Sequence, residues 1–270
     1  MKIVKPSVRQ VLYEPSIEGM YKAIAESAYI CYATDPETAK LTPKEFIDKI
    51  LIPNDHARPL EFGTVYLKIP YCYTYEATQI VSFFRSNPYS KVKFFGHEED
   101  PCWLITTNYR VINEHKLFDE MEMYFEYTDY HPKRHLAEFI LSRGASDDFR
   151  THTTLSSIAE SSRYCLYSKD KFGNELTFVE PYWVDIPAQE IHEFTLESFK
   201  LQEKMYLDGA ELGMRAQQLK RILPMGVKTT LRLCGFKDAW DNFFYRRCDS
   251  HADPECAELA KELKNIFNAK

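Results

Sequence analysis

Glycine is scarce in this 270-residue chain: nine residues, against eighteen Tyr and eighteen Phe. That scarcity leaves few places for flexible linkers and points to a compact, aromatic-rich fold. The seven cysteines, at positions 31, 72, 102, 165, 234, 248 and 256, are odd in number and include no Cys-x-x-Cys pair. A disulfide framework and a zinc ribbon are thereby excluded, and free thiols fit a reducing cytosol. The opening residues Met1-Lys2-Ile3-Val4-Lys5-Pro6 lack an apolar signal core, and no run approaches the length of a membrane span. A cytoplasmic protein without a membrane partner is expected. The net charge of −6 argues against broad binding to nucleic acid or membrane surfaces, yet leaves room for a local basic pocket that holds one phosphate. Repeats, low-complexity tracts and Gly/Ser linkers are missing too, so one domain over residues 1–270 is expected.

Apolar residues make up 44% of the chain and charged residues 27%, the composition of a globular protein able to bury a sizeable core. Residues 17–33 carry Ile17, Met20, Ile24 and Ala28 on one helical face. Thr42-Pro43-Lys44-Glu45 is a capped helix start with proline in the first turn, for a helix through Leu51. Thr64–Ile69 alternates as a strand does, and Leu136–Leu141 is an apolar run of strand length. Between them, residues 85–132 read as a helical insertion with a mobile loop at Pro88–Asp100. Tyr71, Tyr73 and Tyr75 have strand spacing and read as an aromatic sheet face. Gly144 follows the second strand, and Ser146-Asp147-Asp148 reads as the next helix start, where paired acids favour the N-terminal dipole. Gly173-Asn174 reads as a turn. Residues 188–221 form the longest helical pattern, ended by Pro224. Lys228–Cys234 fits a short strand or a further helix, and Ala239–Arg247 and Pro254–Phe267 read as closing helices.

The densest chemistry lies in Asp148-Phe149-Arg150-Thr151-His152-Thr153, followed after seven residues by Ser161-Ser162-Arg163-Tyr164-Cys165. Hydroxyls, a histidine and arginines recur there at helical spacing with few large apolar residues between. Such a segment is poor core material and good ligand-binding material. Taken alone, Ser161-Ser162-Arg163 is as compatible with an ordinary polar helix end, His152 with a structural histidine, and Arg247 with a surface salt-bridge partner. No metal site is expected.

Residues 143–165 resemble the signature of the flavin-dependent thymidylate synthases, in which Arg-His-Arg is followed by seven residues and a Ser. The usual continuation Glu-Ser-x-Arg-Tyr matches Glu160-Ser161-Ser162-Arg163-Tyr164 without a gap. Cys165–Phe178, Thr107-Asn108-Tyr109-Arg110-Val111-Ile112, Leu223-Pro224 and Lys228-Thr229 also resemble that family, in the right order. The resemblance covers most of residues 15–262. It implies an α+β fold with a mixed sheet and long flanking helices, FAD as cofactor, methylenetetrahydrofolate as one-carbon donor, and dUMP converted to dTMP. It further implies NADPH as a possible reductant and a homotetramer whose site is shared between subunits.

By the same resemblance the nucleotide is held by Asp148, Glu160, Ser161, Ser162, Arg163, Lys220 and Arg247. Arg247 and Ser161 are the catalytic candidates, with Arg247 stabilising negative charge on the uracil as C5 becomes nucleophilic. Lys220 stands where the family has an arginine, which keeps the charge and loses the bidentate fork. The cofactor side is implied to involve Arg58, Glu61, Thr151, His152, Thr153, Asn242 and His251. This side departs from the pattern, since Thr151-His152-Thr153 replaces Arg-His-Arg and removes two cations. Weakened flavin binding is expected unless Arg58 or Arg150 reaches in, and Arg150 would project about 100° away around a helix. Two alternatives accompany the main reading. A methylene adduct captured by water would give a hydroxymethyl product on dUMP or dCMP without net reduction, and a degenerate paralogue would bind nucleotide without turnover.

Overall fold

The computed structural model describes residues 1–71, 74–96, 100–169, 172–182 and 188–269. In chain order the strands are β1 (Lys2–Val4), β2 (Ser7–Val11), β3 (Thr64–Pro70), β4 (Lys91–Phe95), β5 (Cys102–Asn108), β6 (Arg134–Ser142), β7 (Ser156–Ala159), β8 (Thr177–Val179) and β9 (Lys228–Phe236). The α-helices are α1 (Ile17–Tyr32), α2 (Pro43–Phe46), α3 (Tyr75–Ser86), α4 (Tyr109–Glu114), α5 (Phe118–Met121), α6 (Arg143–Arg150), α7 (Ala188–Glu211), α8 (Ala216–Leu219), α9 (Lys237–Arg247) and α10 (Pro254–Asn268). The fold is α+β, with strands ordered β2-β6-β9-β7 in one sheet, β3-β5-β4 in a second, and β1 paired with β8. Among the described residues no helix is long and apolar enough to cross a membrane.

The four-stranded sheet positions the site. β9 runs antiparallel to both neighbours, with Ser142 opposite Lys228 on one side and Ala159 opposite Leu231 on the other. Hence β6 and β7 are parallel, and the segments that follow them leave the sheet at the same end, where β9 begins. Parallel strands need a crossover, and α6 supplies it. The Ser142 hydroxyl caps α6 by accepting the Ala145 N–H at 3.2 Å, while the Ser142 N–H donates to Glu255 of α10 at 2.7 Å. The helix therefore starts three residues before the Ser146-Asp147-Asp148 start expected from sequence. Asp147 and Asp148 lie in its second turn, too far along to act on the N-terminal dipole.

α1 forms as expected. Its Ser16 cap accepts the Gly19 N–H at 3.0 Å, and Met20, Ile24 and Ala28 are buried, with Ile17 packed at the edge. The Thr42–Glu45 capping box is complete, although the helix continues through Ile47–Leu51 with wider π-type turns. Thr64–Ile69 and Leu136–Leu141 are strands, and Lys228–Cys234 resolves as a strand between two partners. Gly173 and Asn174 both have positive φ, as a turn there requires.

Other expectations are corrected. Residues 85–132 are not a helical insertion, because β5 pairs with both β3 and β4 as the central strand of that sheet. Their charges, such as Lys93, lie on exposed strand positions, which obscured the alternation. Tyr71, Tyr73 and Tyr75 do not share a strand, since β3 ends at Pro70 and Tyr75 opens α3. Tyr73 and residues 97–99 of the expected loop lie outside the described residues. The 188–221 pattern breaks after Glu211, where Gly213 takes φ of 87°, so Pro224 does not end the long helix.

A buried charge ties sheet to helix. Arg232 of β9 donates to Glu138 of β6 at 2.8 Å, to Tyr13 at 3.0 Å and to Ser27 of α1 at 3.1 Å. Arg9 of β2 donates to the other Glu138 oxygen at 2.6 Å. These neighbouring guanidiniums hold the Glu138 carboxyl below its usual range against the opposing effect of burial. Removing one partner of a buried pair leaves the other charge uncompensated. Glu138→Ala is therefore expected to destabilise the protein by about 3 kcal/mol in urea denaturation, and a loss under about 1 kcal/mol would show that Arg232 needs no carboxylate.

Candidate active site

Two cavities lie against α6 and the loop that follows it. The first, about 540 Å³, is lined by Glu160, Ser161, Ser162 and Arg163 from the turn after β7, and by Lys220 at the end of α8. Five of the seven residues expected on the nucleotide side are thus brought together. The helix contributes Arg143, Ser146, Asp147 and Arg150, spaced i, i+3, i+4 and i+7 and so on one face. Arg58 completes the wall. Arg143 escaped the sequence reading, although arginines at both ends of that helical face were the available signal.

Ser161–Arg163 is a turn, not the end of a helix, and its backbone is locked. The Ser161 N–H donates to the Cys31 carbonyl of α1 at 3.1 Å, and the Ser161 hydroxyl accepts the Arg163 N–H at 3.3 Å. The helical spacing noted from Asp148 onward does not persist, because α6 ends at Arg150 and residues 156–159 pair with β9 as β7. β9 had room for a second neighbour, and the short β-branched and hydroxyl run supplied it.

Glu160 is buried and fully engaged. Its carboxylate accepts from Tyr167 at 2.7 Å and from Lys228 at 3.0 Å, and the Tyr167 hydroxyl accepts from Arg143 at 2.7 Å. Burial, with the adjacent Glu160 charge, pushes the Tyr167 phenol far above its usual range, so it stays a donor. The chain Arg143–Tyr167–Glu160–Lys228 crosses from α6 to β9, with Arg143 and Glu160 on the cavity wall. The carboxylate is already neutralised by Lys228, so the remaining arginines give this cavity a positive balance.

The second cavity, about 600 Å³, is lined by Thr151, His152, Thr153 and Thr154 and, from α9 and beyond, by Asn242, Arg246, Arg247 and His251. Five of the seven residues expected on the cofactor side meet here. Arg58 lies at the first cavity, while Glu61 is buried beside it, paired with Arg110 at 2.6 Å and with Arg58 at 3.5 Å. Arg150 also lines the first cavity and pairs with Asp147 at 3.5 Å. Arg247, expected on the nucleotide side, stands instead among the cofactor-side residues and spans the loop. It donates from Nε to His152 Nε2 at 3.0 Å, and from Nη2 to Thr151 Oγ1 at 2.9 Å and to the Asp148 carbonyl.

That geometry sets the state of His152. An arginine N–H can only donate, so Nε2 must be the unprotonated nitrogen and the ring neutral. Burial, then Arg247 and Arg246, lower the His152 pKa to about 4. The hydroxyls and the two arginines suit the anionic part of a dinucleotide cofactor, so the residues present fit a flavin. No three His, Cys, Asp or Glu among the described residues are grouped as metal ligands.

A match over residues 131–270 identifies the family described as thymidylate synthase complementing protein. The chain belongs to this family, the flavin-dependent thymidylate synthases, and the enzyme class is methyltransferase. Among solved structures, thymidylate synthase X from Helicobacter pylori with FAD and dUMP is similar at 15% identity, over 96% of this chain and 92% of that one, with a TM-score of 0.42. The UMP/dUMP methylase PolB from Streptomyces cacaoi bound with 5-Br dUMP is similar at 12% identity, over 100% and 93%, with a TM-score of 0.47. No curated protein matches the chain.

A histidine whose folded pKa lies below its unfolded value near 6.5 contributes stability above that value and loses it as pH falls toward 4. The full effect is about 3 kcal/mol. Denaturation curves between pH 7.5 and 4 are expected to show His152→Gln, which can still accept from Arg247, with a shallower acid loss than the unmodified protein. An identical slope would mean that His152 does not titrate in that window.

Proposed function

We propose that this protein methylates C5 of dUMP, using methylenetetrahydrofolate as carbon donor and NADPH as reductant, and that it works as a homotetramer. Family membership carries the reaction class. The observation that carries the nucleotide assignment is the first cavity, where Ser161, Ser162, Arg163 and Lys220 converge with Arg143 and Arg150 on one wall. A monophosphate dianion needs several donors and positive charge in one place, and this wall supplies both.

The chain's own groups divide the work. Lys228 and Tyr167 hold the Glu160 carboxylate fixed, which anchors the turn that presents Ser161–Arg163. Arg247, oriented by neutral His152 and by Thr151, is rigid and positively charged. A fixed guanidinium of that kind stabilises negative charge on a pyrimidine ring without reorganising at the moment of reaction. Ser161, with its hydroxyl tied to the Arg163 N–H, orients substrate in this reading. Bound flavin supplies hydride, and in this chain Thr151, His152, Thr153, Asn242 and His251 would hold it. The sharing of sites between subunits in a tetramer accounts for Arg58 and Arg247 lying at different cavities of one chain.

Incubation of dUMP with methylenetetrahydrofolate, NADPH and FAD is expected to yield dTMP, and 5-hydroxymethyl-dUMP as sole product would overturn the reading. Arg247→Ala is expected to lower turnover about 100- to 1,000-fold while assembly, followed by light scattering, stays tetrameric. Arg163→Ala is expected to weaken dUMP binding by about 1.5–3 kcal/mol, the worth of a charge-assisted hydrogen bond, in a titration that would show no change if Arg163 lay outside the site.

A further inference from the structure

The Thr-His-Thr loop lacks the two cations that the family pattern places there, yet its cavity is not short of positive charge. Arg246 and Arg247, consecutive in the last turn of α9, both line it opposite Thr151–Thr154. Arg247 is committed to His152, Thr151 and the Asp148 carbonyl. Arg246 is exposed, lies 5.8 Å from the Tyr245 ring, and has no acidic partner within ion-pair distance among the described residues. The cavity's acid, Asp249, is taken up by His251 at 2.7 Å.

Two helices end at this cavity, α6 at Arg150 and α9 at Arg247. Helix C-termini carry partial negative charge and repel an anion, so any attraction must come from side chains. The Thr153 and Thr154 hydroxyls can donate, but neutral donors do not offset the charge of a diphosphate. Arg150 and Arg58 line the other cavity of the chain. Among the described residues of one chain, the uncommitted cation lining the cavity opposite the loop is Arg246.

We propose that Arg246 is the anion-binding group of this cavity, a cation carried on α9 in place of those missing from the loop, and that it binds the diphosphate of a flavin dinucleotide. The proposal rests on the flavin-dependent reading of the cavity. It replaces the expectation of weak flavin binding with one of relocated charge. Flexible Arg246, resting on Tyr245, would close on the diphosphate while Arg247 stays fixed by His152.

FAD titrations followed by flavin fluorescence, with ADP and NADPH as competitors, test both levels. Arg246→Gln is expected to weaken FAD and ADP binding in parallel by about tenfold or more, at unchanged thermal stability, and to flatten the salt dependence of binding. Arg246→Lys is expected to retain most of the affinity. In the double variant Arg246→Gln/Thr153→Arg, charge returned to the loop is expected to restore it. Unchanged FAD affinity in Arg246→Gln overturns the proposal and leaves the flavin reading intact. A Lys variant as weak as the Gln variant, or a double variant without recovery, overturns the role of relocated charge. Wild-type protein that binds ADP through Arg246, and is competed by NADPH but not by FAD, overturns the flavin assignment and keeps the anion site.

Discussion

The pairing of β9 with β6 on one side and β7 on the other is the constraint on which the rest depends. Because β9 opposes both neighbours, β6 and β7 must run parallel, and their C-terminal ends emerge on either side of β9 near its start, Ser142 opposite Lys228 and Ala159 opposite Leu231. One strand end launches α6 through the Ser142 cap, and the other launches the Glu160–Arg163 turn. A register slip of one residue would turn every side chain of the slipped strand to the opposite face. It would carry Lys228 away from Glu160 and Arg232 away from Glu138. Leu231 and Leu233, both fully buried, resist that slip through the apolar area they remove from water.

Charge is handled differently inside the scaffold and at its cavities. Arg232 and Glu160 are buried, and each meets opposite charge and hydroxyl donors or acceptors, so neither faces a ligand as a free charge. At the cavity rims the arginines outnumber their partners, and a chain of net charge −6 still presents two positively biased hollows. Field depends on local arrangement rather than on the sum. His152 sits between the two regimes. It is buried and neutral, and through its acceptor nitrogen it converts a cationic side chain into a fixed one.

α6 is eight residues long, about 12 Å at 1.5 Å per residue, yet it organises both cavities. One face gives Arg143, Ser146, Asp147 and Arg150 to the first. A second buries Ala145 and Phe149 in the core, where Phe149 meets Phe139 and Phe243. Its last turn and the loop beyond give Asp148 and Thr151 to Arg247. The aromatic contact of Phe243 with both Phe149 and His152 couples α9 to this loop, so the position of Arg247 depends on core packing as well as on hydrogen bonds.

Much of this was legible along the chain. The stripe of Met20, Ile24 and Ala28, the Thr42–Glu45 box and the apolar run of β6 are local patterns whose period or cap chemistry dictates the element. The order of Glu160, Ser161, Ser162 and Arg163 identified the family because those residues are contiguous, and contiguous residues stay together however the chain folds. Strands β4 and β5 were hidden, since a strand is stabilised by a partner that lies elsewhere in sequence; β4 is short and carries two lysines, and β5 is buried on both faces and so shows no alternation. The nature of Lys228–Phe236 was likewise decided by β6 and β7. That Arg247 meets His152, that Arg150 and Arg58 face one cavity, and that Arg246 faces the other are facts about side-chain direction. Direction is set by which helix face is buried and where the next element begins, and only the packed tertiary structure decides that.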